Sequence, residues 1–392
     1  MTDMKDKFLQ IEDGNVLLVD WHKGASANLP DQRITNVRML GSKVSTVLND
    51  LIKIHNTKPE NIHIIAHSLG TFAADVIGRQ VKHIGRISGL DPGGPNFDLL
   101  SPELRLDQSD ALFVDVIHTD VENTSLSLYG RGTSALVGHM DFFPNGGSNQ
   151  PGCSIQRFED LVIRPIGEGV RRFVACHHYR AIDYYLETIT PTATSCLPLG
   201  YKCENFTSFT EGRCDKCDSP GVDCAEMGFK SINYFTPNDA KPKKFYLNTN
   251  RRKPFCIFHY NIQVTISSKP EQIRGGVLFI TSTGEFGSME ARLNGGMSGF
   301  RPGNTTGSIV NHFLDIGGVR SVSLVWLPAP SINLFSNPTL YIQKIVVTPL
   351  NDPDKSSRSS LTRVLCPAES IILQPFFKRT FFTTADQCAS LH

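Results

Sequence analysis

The chain has 392 residues, with 39 lysines and arginines against 38 aspartates and glutamates, for a formal net charge of +1. That length exceeds what one hydrophobic core comfortably fills and suits two domains, and the near-neutral balance excludes a general attraction to nucleic acid or to a membrane surface. No apolar stretch approaches the roughly 18 residues that a membrane span requires. Met1 to Gly14, MTDMKDKFLQIEDG, has none of the marks of a signal peptide: charge runs through it, and it lacks an apolar core and a small-residue cleavage site.

In chain order, Val16 to Trp21 reads as a buried strand. Ile34 to His55 reads as a helix with an apolar face at Val37, Val44, Val47, Leu48 and Leu51, and Asn61 to Ala66 as the next strand. His83 to Leu90 and Leu112 to His118 continue the alternation, and Cys176 to Thr188 closes it with a helix spaced by Tyr179, Ile182, Tyr185 and Leu186. Strands separated by crossover helices predict an α/β domain over residues 1–189 with a mainly parallel sheet covered on both faces. Residues 190–254, rich in Cys, Gly, Pro, Ser and Thr, read as a cross-linked connector. Beyond that, residues 255–392 change period: Phe258 to Ser267, Val277 to Thr281, Val319 to Trp326 and Tyr341 to Thr348 resemble strands between Gly, Asn and Pro turns, a separate all-β domain.

Cys196, Cys203, Cys214, Cys217 and Cys224 crowd the connector, a spacing that suggests loops clipped by disulfides in an oxidising compartment. Zinc is the competing reading of Cys214-x-x-Cys217 with Cys224, but no second Cys-x-x-Cys or ordered histidine pair completes four ligands.

The chemistry is concentrated at Ser68. It lies in Ile64-Ile65-Ala66-His67-Ser68-Leu69-Gly70, an apolar run that breaks into a tight turn before the helical stretch Thr71 to Gln80. Small residues on both sides let a strand-to-helix corner expose Oγ as a nucleophile, although an ordinary turn serine fits the same pattern. Asp91 follows the strand-like Arg86 to Leu90 and precedes the rigid Pro92-Gly93-Gly94-Pro95, which could present a carboxylate at the sheet's C-terminal edge. His178 opens the late helix. An acid that orients a histidine, which in turn takes a serine proton, is the minimum for covalent acyl transfer, and the chain order Ser, Asp, His is that of α/β-hydrolases. Further on, Glu103 to Asp110 sets the carboxylates of Asp107 and Asp110 beside carbonyls, hard oxygen chemistry of the kind calcium prefers.

AHSLG at 66–70, GLDPGGP at 89–95, HTD at 118–120, GHMDFFPNGG at 138–147, PGC ending at Cys153 and ACHHYR at 175–180 stand in one order and spacing. In these segments the chain closely resembles the pancreatic lipase family, and the likeness continues through the connector to FHY at 258–260. The resemblance implies an α/β-hydrolase domain followed by a PLAT-type β-sandwich. It also implies Ser68 as nucleophile, Asp91 as acid, His178 rather than its neighbour His177 as base, and the Leu69 N–H as one oxyanion donor. Further strands and a loop giving the second oxyanion N–H are expected upstream, so the chain reads as N-terminally incomplete, the same reason a signal peptide is absent from a protein expected to be secreted.

The stretch SIQRFEDLVIRPIGEGVRRFVA between Cys153 and Cys176 mixes apolar and charged residues and is interrupted by Pro165 and Gly167, as an amphipathic cover would be. In the resembling family a lid of this length (153–176) goes with lipases and a shorter one with phospholipase A1. Triacylglycerol is therefore the expected substrate, a serine ester hydrolase acting on acylglycerols the expected enzyme, and phospholipase A1 the alternative. The resemblance further implies structural Ca2+ held by the side chains of Asp107 and Asp110 and the carbonyls of Glu103 and Arg105. It implies disulfides Cys153–Cys176, Cys203–Cys214, Cys217–Cys224 and Cys366–Cys388, which leaves Cys196 and Cys256, an even remainder that makes their pairing an option. No organic cofactor is expected. Partners are the lipid–water interface, a lipase cofactor protein, and heparan sulfate at Arg251-Arg252-Lys253 with Lys241, Lys243 and Lys244, although such a run equally describes a solvated face. A non-catalytic lipid or heparin binder is the reading from a different class. Asn123, Asn205 and Asn304 begin glycosylation sequons.

Overall fold

The computed structural model describes residues 2–27, 29–94, 96–121, 132–153, 175–190, 196–237, 241–269, 271, 273–294, 299–330, 332, 338–366 and 371–382. The chain divides into two compact units, Met1–Cys203 with Ser219–Phe255, and Glu204–Asp218 with Cys256–His392.

The first unit opens with helices α1 (Thr2–Ile11), α2 (His22–Ala25) and α3 (Pro30–His55). Proline in the first turn starts α3, where its missing N–H costs nothing, and Asn56 in the left-handed region (φ 56°) ends it. Val37, Gly41, Ser45 and Leu48 recur at helical spacing and are buried, whereas Val47 falls off that stripe and is 52% exposed, contrary to the apolar face expected from sequence. Gly41 is where α3 meets α4 (Gly70–Gln80): a β-carbon there would lie 2.8 Å from Val76 Cβ and 2.9 Å from the Ala73 carbonyl.

Seven strands form the sheet of this unit: β1 (His63–His67), β2 (Arg86–Leu90), β3 (Phe113–Ile117), β4 (Met140–Pro144), β5 (Leu199–Lys202), β6 (Cys224–Glu226) and β7 (Lys243–Leu247). Their order is β1-β2-β3-β4-β7-β5-β6, with the first five in that order parallel and β5 antiparallel to both neighbours. Strands β2, β3 and β4 are buried along their whole length, as parallel strands covered on both faces should be. One side carries α3 and α4 through Val37, Phe72, Ile77, Ile87 and Val114. Another core joins Met4 of α1 to Tyr184 and Tyr185 of α5 (Cys176–Ile189) over Ile117 and Phe142.

Val16 to Trp21 departs from expectation. It forms no strand, and Leu17, Leu18 and Val19 are 62%, 53% and 51% exposed. Apolar composition alone does not make a strand: a strand exists through its ladder, and this segment has none.

Among its described residues the second unit is all-β apart from α6 (Phe206–Thr210) and α7 (Lys355–Leu361). Its strands are β8 (Phe258–Ile266), β9 (Gly276–Thr283), β10 (Ser288–Asn294), β11 (Thr305–His312), β12 (Ser321–Pro328), β13 (Leu340–Pro349), β14 (Arg363–Leu365), β15 (Ile371–Leu373) and β16 (Arg379–Phe382). They make two antiparallel sheets, β10-β9-β12-β16 and β11-β8-β13-β14, with β15 beside β13. Alternate residues Leu278 and Ile280, Val322, Leu324 and Trp326, and Ile262 and Val264 are fully buried, the period-2 pattern of a β-sandwich. The expected α/β-hydrolase domain followed by a PLAT-like β-sandwich is the architecture observed.

Candidate active site

Strand β1 ends at His67 and α4 begins at Gly70, so Ser68 occupies the corner. It turns through φ 56°, a region that costs a non-glycine residue about 1–3 kcal/mol and recurs at functional corners. The turn is fixed at both ends: Ser68 N donates to Leu90 O at the end of β2 (3.1 Å), and Ser68 O accepts from Thr71 N (3.0 Å) and Thr71 Oγ1 (2.7 Å). Leu69 lies at the start of α4, where the first N–H groups of a helix have no intrahelical acceptor.

Asp91 directly follows β2 and also has positive φ (47°), with its N–H bonded to Ile117 O on β3 (2.7 Å). Its carboxylate is fully buried, and both oxygens are engaged. Oδ1 accepts from Thr119 N (2.7 Å) and Asp120 N (3.1 Å), and Oδ2 accepts from His178 Nδ1 (2.5 Å). The loop giving those two amides is itself held, because the His118 ring bridges Thr133 O and Asp141 Oδ1 at 2.8 Å each and stacks on Phe143 at 4.2 Å. Gly132 closes the remaining side. A β-carbon there would run into Asp91 Oδ1 and lie 2.9 Å from Oδ2.

His178 stands in the first turn of α5, two residues past Cys176, which is bridged to Cys153. Burial works to lower its pKa, but the hydrogen bond and charge of Asp91, with a smaller contribution from Asp120, carry it above the ordinary value. The neighbouring His177 is turned elsewhere, its Nδ1 accepting from Gln150 N at 2.9 Å. Among the described residues no hydrogen bond joins Ser68 Oγ to the His178 ring, so acid and imidazole are directly paired and the serine corner stands beside them. Ligand atoms of Asp91, Asp120 and His178 lie within 4.8 Å of one another, a set that could hold a divalent ion. In this structure His178 Nδ1 makes a 2.5 Å hydrogen bond to Asp91.

A second group of carboxylates lies beside α4. Asp107 caps the short turn Gln108–Asp110: its side chain accepts from Ser109 N at 2.6 Å, and Asp110 Oδ2 accepts from Asp107 N at 2.9 Å. Asp110 Oδ1 is buried with no hydrogen-bond donor, and the Arg79 guanidinium stays 3.9 Å from it and 4.0 Å from Asp107 Oδ2 while bonding Asp75 at 2.5 Å. Burial first, with Asp75 and Asp107 adding to it, pushes the Asp110 pKa up to about 8. Glu103 is exposed, and a hydrogen bond from Ser101 holds its carboxyl below the usual range. The Arg105 guanidinium bonds Leu100 O and Leu106 O (3.3 Å each) over the Phe97 ring.

All nine described cysteines are in disulfides: Cys153, Cys176, Cys196, Cys203, Cys214, Cys217, Cys224, Cys256 and Cys366. Residues 154–174 of the expected lid, Asn123 and Cys388 lie outside the described residues. Asn205 and Asn304 are exposed, and Asn205 caps α6 through Ser208 N (2.8 Å). Lys243 is 4% exposed within β7, so the basic residues from Lys241 onward are not one continuous surface run. No helix among the described residues is long and apolar enough to cross a membrane.

Three supporting features carried no role in the sequence reading: the Thr119 and Asp120 amides, Gly132, and His67, whose Nε2 bonds His178 O. HTD and AHSLG contained two of them as spelling, but a backbone amide's target cannot be read from its residue type.

Comparison with known proteins agrees with this geometry. A family model described as lipase matches residues 1–255. The chain is 36% identical over 343 residues to pancreatic triacylglycerol lipase of Oryctolagus cuniculus, covering 87% of this chain and 70% of that protein. It is 35% identical over 328 residues to inactive pancreatic lipase-related protein 1 of Mus musculus (83% and 67%) and 34% over 349 residues to pancreatic lipase-related protein 2 of Homo sapiens (88% and 72%). Catalytically active and inactive proteins thus stand among its relatives. With a strained serine corner beside a buried carboxylate–imidazole pair on a hydrolase sheet, and with matches over most of its length, the chain belongs to the pancreatic lipase family.

Proposed function

We propose that the protein is a secreted serine hydrolase that cleaves carboxylic esters of acylglycerols, triacylglycerol first, through an acyl-enzyme on Ser68. The observation that carries this reading is the 2.5 Å bond between Asp91 Oδ2 and His178 Nδ1 beside a serine held at positive φ. Asp91 fixes the imidazole with hydrogen on Nδ1, which leaves Nε2 as the base. Ser68 Oγ attacks the ester carbonyl as Nε2 takes its proton, and the Leu69 N–H donates to the developing oxyanion, a contact of a kind worth about 2.7–4 kcal/mol. The proton then passes from His178 to the departing alkoxide. Water, deprotonated by the same Nε2, releases the fatty acid. Replacing Ser68→Ala should lower turnover of emulsified triacylglycerol by about 10⁶-fold, and unchanged turnover rejects the assignment.

The substrate class rests on the lid between Cys153 and Cys176. Shortening that span with both cysteines kept should leave small soluble esters as substrates and shift preference toward phosphatidylcholine, which a phospholipase A1 would cleave to fatty acid and lysolipid. Equal relative rates before and after shortening would remove the support for triacylglycerol. A binder without turnover is the reading that the inactive relatives favour, and the Ser68→Ala comparison separates it too.

Calcium fits the second carboxylate group. Asp110 Oδ1 is an orphaned buried oxygen, and Asp107 and the Arg105 carbonyl are hard donors on the same loop. The Glu103 carbonyl completes the expected set. The ion would supply structural charge compensation, remote from proton transfer. The expected disulfides Cys203–Cys214, Cys217–Cys224 and Cys366–Cys388 belong to the same reading, as do heparan sulfate and a lipase cofactor protein as partners.

A further inference from the structure

His67 immediately precedes Ser68, and its side chain is directed at His178. Its Nε2 is 3.1 Å from the backbone carbonyl of His178, and its ring lies 4.4 Å from the His178 ring and stacks on Tyr179 at 5.5 Å. A carbonyl can only accept, so Nε2 must carry the hydrogen and donate it. Burial, with the adjoining His178 ring next in weight, holds the His67 pKa down to about 3, so the ring stays uncharged beside an imidazole that must itself become cationic during acyl transfer. One side chain therefore ties the last residue of β1 to the first turn of α5, the two elements that carry Ser68 and His178. Ile65 of β1 also packs against the core that holds Tyr184 and Tyr185 of α5, but among the described residues no hydrogen bond joins Ser68 to the His178 ring.

We propose that His67 is a positioning residue that sets the approach of the His178 ring to Ser68 through the Nε2–H donated to His178 O. The inference rests on the serine hydrolase reading above. The geometry gives it a definite consequence, because displacing reacting groups by about 1 Å can cost a hundredfold in rate. His67→Phe keeps an aromatic ring between His178 and Tyr179 but removes the donor. His67→Gln gives up the ring and restores an N–H at a similar reach.

In the full chain, with tributyrin as substrate, His67→Phe is expected to lower kcat by about 10- to 100-fold with KM within about twofold, and His67→Gln to recover to within about threefold of wild type. Stoichiometric labelling of Ser68 by an organophosphate ester should slow by the same factor in the Phe variant, a loss that altered lipid binding would not produce. His67→Asn, whose amide stops short of the carbonyl, is expected to be as slow as Phe and serves where Phe does not fold. A Phe or Asn variant with wild-type kcat, or a Gln variant no faster than Phe, overturns the proposal. Ser68→Ala in the same assays separates this from failure of the underlying reading: if Ser68→Ala still turns over tributyrin, the hydrolase assignment falls, whatever His67 does.

Discussion

Asp91 and Asp110 are carboxylates of the same α/β unit, 0% and 2% exposed, each on a turn at the edge of the sheet, yet their surroundings differ in one respect. Every lone-pair direction of Asp91 that matters is met, by two backbone amides on Oδ1 and an imidazole on Oδ2. Asp110 has one amide on Oδ2 and nothing bonded to Oδ1, while Asp75 and Asp107 crowd it. Burial is therefore not what makes a carboxylate useful as an anion. Donors arranged before the charge arrives do that, and where they are missing the site either takes a proton or takes a cation.

The sharpest way to break the comparison is to remove the charge of Asp91 without changing its shape. Asp91→Asn should lower kcat by about 10⁴-fold, since the amide no longer enforces hydrogen on His178 Nδ1. The residual rate should also show its acid limb at lower pH. On the proposed mechanism His178 acts only when neutral; burial alone lowers its pKa, and Asp91 is what carries it above its ordinary value. A residual pH profile unmoved by the substitution would contradict that account.

Gly132→Ala probes the same carboxylate from its packed side. The added methyl would displace Asp91 Oδ1 from the Thr119 and Asp120 amides, and kcat is expected to fall about 100-fold with a cooperative fold retained. A fully active Gly132→Ala enzyme would mean that the turn yields instead of the carboxylate.

The effect at Asp110 is on stability. Its folded pKa, about 8, lies above the value of 3.8 expected of a free carboxyl, so the folded state holds the proton across that window. Stability should therefore fall as pH rises from about 4 to 8 in chelator, by up to about 1.4 kcal/mol per pH unit, with Asp75 and Asp107 steepening the loss and Arg79 opposing it. Millimolar calcium should flatten the slope. Differential scanning calorimetry of wild type and Asp110→Asn checks both expectations. If the variant keeps the wild-type slope and the wild-type response to calcium, Asp110 is not the ion's anchor.

The sequence by itself determined the elements that depend on local periodicity and the residues that depend on motif spelling. The helix ending at His55, the all-buried strands before Asp91 and His118, the change to period 2 beyond Phe258, and the serine, aspartate and histidine in chain order were all legible, because apolar spacing and turn residues act over a few neighbours. Val16 to Trp21 was not, since an apolar run says nothing about whether a ladder partner is in reach, and Val47 was not, since one residue's slip around a helix turns a core position outward. The resemblance pointed to His178 over His177, but only tertiary structure could show that His177 turns to Gln150 instead, that Gly132 is small because a carboxylate fills its space, and that His67 bonds the backbone of His178. Each is a contact between elements far apart in sequence, with direction set by how parallel strands and their helices stack, and no pattern along the chain records that direction.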